Sequence, residues 1–174
     1  MFFRLVSKFL ILAVTVTAVM AFAQTDALAA NVFPAFKSIT LDGKSVTEAI
    51  FAGKKLTMLN IWATWCPPCV AEMPDLGSMG RAMPDGTQLV GLVFDISAGD
   101  RSAKSKAEEI LSGAKANFVQ IEYSDDMYPY LETVDAIPTT IFVDAKGNII
   151  GEPLVGSRSE KDYRAAIEKI LKSL

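Results

Sequence analysis

Histidine is missing from this chain of 174 residues, and cysteine occurs only twice. A zinc centre wants about four Cys or His ligands, so two thiols alone argue against one. The same shortage argues against a metallochaperone or haem-handling module. A basic cluster is lacking too: 17 Lys and Arg stand against 20 Asp and Glu, for a net charge of −3. That balance speaks against nucleic acid as a partner. No cysteine lies near the N-terminus, which excludes a lipid-modified one there. Internal repeats and interdomain linkers are absent as well. What is present, 51% hydrophobic and 21% charged residues, describes one globular domain with a proper core.

Arg4 and Lys8 precede an uncharged run over residues 9–23, and small residues follow at Ala21, Ala23, Ala27 and Ala29. A basic start, an apolar stretch and an Ala-x-Ala site describe a secretory signal peptide. The expected division is therefore residues 1–29 as signal and 30–174 as folded domain. A retained anchor over residues 5–24 is the alternative, because Leu5 and Val6 lengthen the run towards the ~20 residues a spanning helix needs. Cleavage after Ala29 removes Arg4, Lys8 and Asp26, leaving 15 basic and 19 acidic residues and a net charge of −4. Export would place both cysteines in an oxidising compartment.

Those cysteines are Cys66 and Cys69, set in residues 56–74. Leu56, Met58, Leu59, Ile61 and Trp62 form an apolar run before them, and a helix-compatible segment follows. The order is strand, tight turn, helix. Pro67 and Pro68 suit a first helical turn, where a missing N–H costs nothing. Cys66 then stands exposed at the helix N-terminus, where unpaired N–H groups and the dipole favour a thiolate. Cys69 lies one turn deeper on the same face. A structural staple over so short a loop would stabilise by roughly 2 kcal/mol. Thiol–disulfide exchange is the stronger reading, with the staple kept as its alternative.

Trp62, Trp65, Cys66, Pro67, Pro68, Cys69, Glu72 and Pro74 resemble the thioredoxin superfamily, in particular the exported thiol–disulfide reductases of the TlpA/ResA type. Their pattern is Trp-Cys-x-Pro-Cys-x-x-Glu-x-Pro, and the similarity runs from about Phe33 to the end. It implies an α/β thioredoxin-like fold, a mixed central sheet flanked by helices with an N-terminal β-hairpin. It also implies a monomeric bacterial protein of the periplasm or the outer face of the cytoplasmic membrane. Such a protein reduces disulfides of exported proteins, for example apocytochrome c or methionine sulfoxide reductase. It is recharged by a membrane thiol-electron transporter, and its redox-active Cys66–Cys69 pair needs no other cofactor.

The same resemblance assigns roles. Cys66 attacks and Cys69 resolves. Ile137 and Pro138, the latter cis, carry the backbone that binds substrate, with Trp65 and Pro67 beside the pair. Thioredoxins proper keep an Asp six residues before the first cysteine; Asn60 stands there and cannot titrate. Glu72 is then the candidate for moving protons, with Asn60 and Pro68 as its structural surroundings. Ordinary readings exist for two of these residues: Trp65 as core, and Glu72 as a surface acid favoured by the helix dipole. An oxidase or isomerase on the same fold is the rival function. Strong oxidants often gain from a His between the cysteines, and Pro67-Pro68 supplies none. A thiol peroxidase fails because Ala63 occupies the Thr place of Pro-x-x-x-Thr-x-x-Cys.

Elsewhere, Asp42-Gly43 predicts a hairpin turn, and Val46, Ala49 and Ile50 a connector ending at Gly53. The first helix should run to about Ala82 with Pro74 inside it. Residues 88–96 and 118–121 read as strands, separated by a helix over 101–114 with Ala103, Ala107, Ile110 and Leu111 inward. Thr139 and its neighbours to Val143 form a strand that pairs, through a turn at Gly147, with another over 149–155. Ser159 and Asp162 mark the start of a last helix. Its stripe of Tyr163, Ala166, Ile167, Ile170, Leu171 and Leu174 reads as core.

Overall fold

The computed structural model describes residues 31–97 and 100–174, and the fold set out here is that of the unit Phe33–Leu174. The signal or anchor expected over residues 1–29 lies outside the described residues. Among those described, no helix is long and apolar enough to cross a membrane.

The chain opens with the expected hairpin, β1 (Lys37–Ile39) against β2 (Ser45–Thr47). Its turn passes through Gly43 at φ 84°, a left-handed conformation that glycine adopts without Cβ strain. A 3-10 turn, Glu48–Phe51, leads on to β3 (Leu56–Trp62), all seven residues of which are buried. β3 is the middle strand of a five-stranded sheet. It runs parallel to β4 (Thr87–Val93), which is parallel to β5 (Val119–Glu122). On its other side it runs antiparallel to β6 (Thr139–Val143), and β6 to the short β7 (Leu154–Val155). Among the described residues there are four α-helices: α1 (Pro67–Gly80), α2 (Arg101–Gly113), α3 (Tyr128–Leu131) and α4 (Glu160–Leu171).

Both faces of the sheet are covered, so the central strands show the unbroken apolar runs that such burial demands. On one side Met58, Trp62 and Phe142 meet Met73, Leu76 and Met79 of α1, Ala107 and Leu111 of α2, and Tyr163 and Ile167 of α4. On the other, Leu59, Ile61, Val90, Leu92 and Ile141 meet Phe33, Phe36, Phe51, Met127 and Leu131. Phe33 packs edge to face on Phe36 and on Phe51, at 5.9 Å in each case. Because strand side chains alternate, Asn60 shares the face of Met58 and Trp62, beneath α1. Thr140, its partner in the sheet register, points the same way as Phe142.

Two strands are shorter than the sequence suggests. β4 stops at Val93, where the chain turns so that Asp95 reaches back to Thr64. The strand expected over residues 149–155 reduces to a bridge at Ile149 and the pair Leu154–Val155. Between them Gly151 takes φ 73° and Pro153 has no N–H to offer the ladder. The hairpin lies along the outer side of β5, through a Thr40–Ile121 bridge, a Leu41 N–H to the Gln120 carbonyl (3.0 Å) and the Ser38 hydroxyl to the Glu122 carbonyl (2.6 Å).

Packing requires a glycine at position 91. Gly91 of β4 faces Gln120 of β5, whose carboxamide oxygen accepts the Trp62 indole N–H at 2.9 Å. A Cβ at Gly91 would overlap that carboxamide. Gly91→Ala is expected to lose about 1–3 kcal/mol of stability. Gly113→Ala, at an exposed helix end with nothing within 4 Å of its Cβ, should be neutral or gain up to ~1 kcal/mol. Urea unfolding of both variants checks the pair, and equal midpoints would refute the contact.

Candidate active site

β3 delivers the chain to the site, and α1 begins there. Cys66 is the N-cap of α1 in extended conformation (φ −95°, ψ 103°), and Pro67 and Pro68 occupy the first helical positions. The prolines remove two N–H groups that the first turn could not satisfy within the helix. The N–H of Cys69 remains, and it donates to the Cys66 sulfur at 3.3 Å. The two cysteines are joined as a disulfide, with Cα atoms 5.3 Å apart. The loop before them is pinned by Asp95, which accepts the Thr64 N–H at 3.1 Å and the Thr64 hydroxyl at 2.6 Å.

The expectation of an exposed Cys66 needs correction. Only 3% of Cys66 is accessible, against 0% of Cys69. The cause is the strand start opposite: the Cys66 sulfur lies 3.6 Å from the carbonyl oxygen of Ile137, and the Ile137–Pro138 peptide is cis. Pro138 is buried and Ile137 half-buried, whereas Pro67 and Pro68 are exposed. Trp65 is 60% exposed, which rules out the core reading for it; Trp62 is the buried tryptophan. Trp65 borders a mostly apolar cavity of about 370 Å³ with Phe94, Leu131, Val134 and Ile137, and Asp135 at its edge.

Glu72 lies two residues short of Pro74 on α1 and is 3% exposed, so it is no surface acid. One carboxylate oxygen accepts the Asn60 amide N–H at 3.0 Å. The other accepts the Arg158 backbone N–H at 3.0 Å and the Tyr163 hydroxyl at 2.9 Å. Burial pushes the Glu72 carboxyl above the usual carboxylate range; the Asn60, Arg158 and Tyr163 donors pull it back only in part. Asn60 also donates to Thr140 at 3.0 Å, and the Thr140 hydroxyl approaches that of Tyr163 at 3.3 Å. A closed ring results: Asn60, Thr140, Tyr163, Glu72. The carbonyl oxygen of the Asn60 side chain is buried without a partner.

The turn between β7 and α4 ties this ring to the strand start at Pro138. The Gly156 N–H donates to the Pro138 carbonyl at 2.8 Å, and the Arg158 guanidinium folds back on the carbonyls of Val155 and Ser157, both at 2.9 Å. Arg158 thereby presents its own N–H to Glu72. In the sequence Tyr163 reads only as part of the core stripe, and nothing there marks Thr140, Arg158 or Asp95. The available signal was a tyrosine in an otherwise aliphatic stripe, since a buried phenol hydroxyl normally finds a partner. Among the described residues, no group of three or more His, Cys, Asp or Glu side chains gathers to hold a metal.

Comparison with known proteins agrees with this geometry. The chain is 32% identical to the thiol:disulfide interchange protein DsbE of Yersinia pestis, over 71% of this chain but only 63% of that protein's length. It is 25% identical to the thiol-disulfide oxidoreductase ResA of Bacillus thuringiensis, over 79% of this chain and 75% of the relative. A thiol:disulfide interchange protein of the thioredoxin family from Chlorobium tepidum superposes with a TM-score of 0.67, at 24% identity, covering 81% of this chain and 96% of that one. The family model described as Redoxin matches residues 28–167. With that match spanning most of the folded unit, the chain belongs to the Redoxin family and has a thioredoxin-like fold.

Proposed function

We propose that the chain is an extracytoplasmic thiol–disulfide oxidoreductase that reduces disulfides in exported proteins. The observation that carries this reading is the Cys66–Cys69 disulfide at the start of α1, with Cys66 as N-cap accepting the Cys69 N–H. That N–H and the helix dipole favour negative charge on Cys66 once the bond is reduced.

The cycle follows. The Cys66 thiolate attacks a substrate disulfide; a Cys66–substrate bond forms and one substrate thiolate leaves. The Cys69 thiolate then attacks the Cys66 sulfur, the protein disulfide closes, and the second substrate thiol departs. Two electrons pass to the substrate, so the disulfide seen in the structure is the spent form. A membrane thiol-electron transporter is the proposed source of the two electrons that restore it. Cys69 must shed its proton first, and a buried thiol does so reluctantly. Glu72, one helical turn away, is the proposed acceptor, since its raised affinity for a proton makes it a better base towards a thiol than an ordinary carboxylate. Trp65, Pro67, Ile137 and Pro138 are the proposed platform for an extended substrate chain, with apocytochrome c or methionine sulfoxide reductase as the kind of protein expected. The names of the DsbE and ResA relatives support the reaction type.

Direction of exchange is tested by equilibrating Cys66–Cys69 against glutathione. Without a His between the cysteines, the potential is expected nearer the −270 mV or so of thioredoxin than the −120 mV or so of a strong oxidant. A value above about −150 mV would make the protein an oxidase instead.

A further inference from the structure

We infer that Tyr163, on the far-removed C-terminal helix, is a positioning residue for Glu72: its hydroxyl orients the carboxylate and, with Asn60, Thr140 and the Arg158 turn, holds it ready for the Cys69 proton. The inference rests on Glu72 acting as proposed above, and it extends that reading to residues that no motif marks.

Three observations carry it. First, the Glu72 oxygen that accepts Tyr163 at 2.9 Å also accepts the Arg158 N–H at 3.0 Å, so two donors from the α4 end of the molecule converge on one atom. Second, Tyr163 is fully buried (0% exposed) and its hydroxyl is directional, because Thr140 approaches it from the other side at 3.3 Å. That leaves the phenol proton for Glu72. Third, the phenol stays protonated: burial and the neighbouring carboxylate push its ionisation far above the ordinary tyrosine range. Tyr163 is therefore a permanent donor, not a base that competes for the Cys69 proton.

The groups that bear on Glu72 are few. From α4 comes Tyr163, and from the turn before it Arg158, whose guanidinium adds a favourable charge. β3 and β6 present only the neutral Asn60 and Thr140, and α1 itself carries the disulfide, which does not titrate. Burial is the effect that raises Glu72, and donation is what opposes it. Removing one donor must therefore raise Glu72 further. Fewer molecules then hold Glu72 as a carboxylate on the acid side, and the acid limb of the release rate moves to higher pH.

The test uses Tyr163→Phe in the full chain, which keeps the ring and its packing. A hydrogen bond to a charged group typically governs tenfold or more in an equilibrium. Mixed-disulfide release on the acid limb should accordingly slow about tenfold, with first attack unchanged, and the Glu72 carboxyl, followed by carbon NMR, should titrate at higher pH. In a Glu72→Gln background the same change should have no further effect on release, since both act through one group. If Tyr163→Phe lowers only thermal stability and leaves the Glu72 titration in place, the positioning role is overturned. If that titration moves while Glu72→Gln releases substrate like the parent, Tyr163 does orient Glu72 but Glu72 is not the base, and the proposed function alone loses its proton acceptor. Should Tyr163→Phe fail to fold, a fluorinated tyrosine at 163 is the second variant. Its stronger donor should shift the Glu72 titration downward, and no shift would refute the inference.

Discussion

Replacing Cys69 with serine should trap the protein on its substrates as mixed disulfides through Cys66, whereas Cys66→Ser should trap nothing and abolish exchange. Accessibility hardly separates the two sulfurs, at 3% and 0%. The backbone does. Cys66 caps α1 and receives an N–H, while Cys69 lies inside the first turn, where that N–H originates. Only the cap position faces the Ile137 carbonyl, along which an incoming chain would lie. The measurement is capture of partner proteins from an extracytoplasmic extract, resolved on a non-reducing gel and released by dithiothreitol. Capture by Cys66→Ser alone would exchange the two roles.

A second large effect is expected at Glu72. Glu72→Gln should leave the first attack nearly intact and slow release of substrate by about 10²–10⁴-fold, the usual worth of a general base. The fold should tolerate the change. Glutamine keeps one oxygen for the Tyr163 and Arg158 donors, and the Asn60 amide can turn so that its unpartnered oxygen meets the new N–H. Stability itself supplies a control. Burial raises the Glu72 carboxyl in the folded protein, so between the unfolded and folded values the native state binds more protons. Stability therefore falls as pH rises through that window. Glu72→Gln removes this dependence, so a kinetic loss at neutral pH cannot be blamed on unfolding. Turnover like that of the parent across pH 6–8 would leave Glu72 a structural residue.

Much of the architecture is legible in single segments of the sequence. β3 and β6 appear where their apolar and β-branched runs predict, and the capping box of Ser159 and Asp162 forms with both of its hydrogen bonds. These features depend on neighbours along the chain. What is not legible in the sequence lies across the fold. The depth of Cys66 depends on Ile137, 71 residues away, and the burial of Glu72 on partners 86 and 91 residues distant. Periodicity alone reads Tyr163 as core, correctly for its ring, but cannot reveal that its hydroxyl meets a carboxylate on α1. β7 fell short for a local reason that was visible, the glycine and proline at 151 and 153, which outweighed the apolar residues around them.

The hairpin along β5 has a consequence for how this protein survives its surroundings. An open sheet margin offers a row of unpaired N–H and C=O groups on which a foreign strand can add. Here β1 and β2, with the Thr40–Ile121 bridge and the Leu41 and Ser38 hydrogen bonds, occupy that margin beside β5. At the opposite margin β7 is two residues long, bounded by Pro153 and Gly156. Under the reductase function proposed above, the protein would meet loosened, strand-seeking chains. With one margin occupied and the other short, such chains find little template on this sheet, which leaves the cysteine end as the place of contact in the proposed exchange.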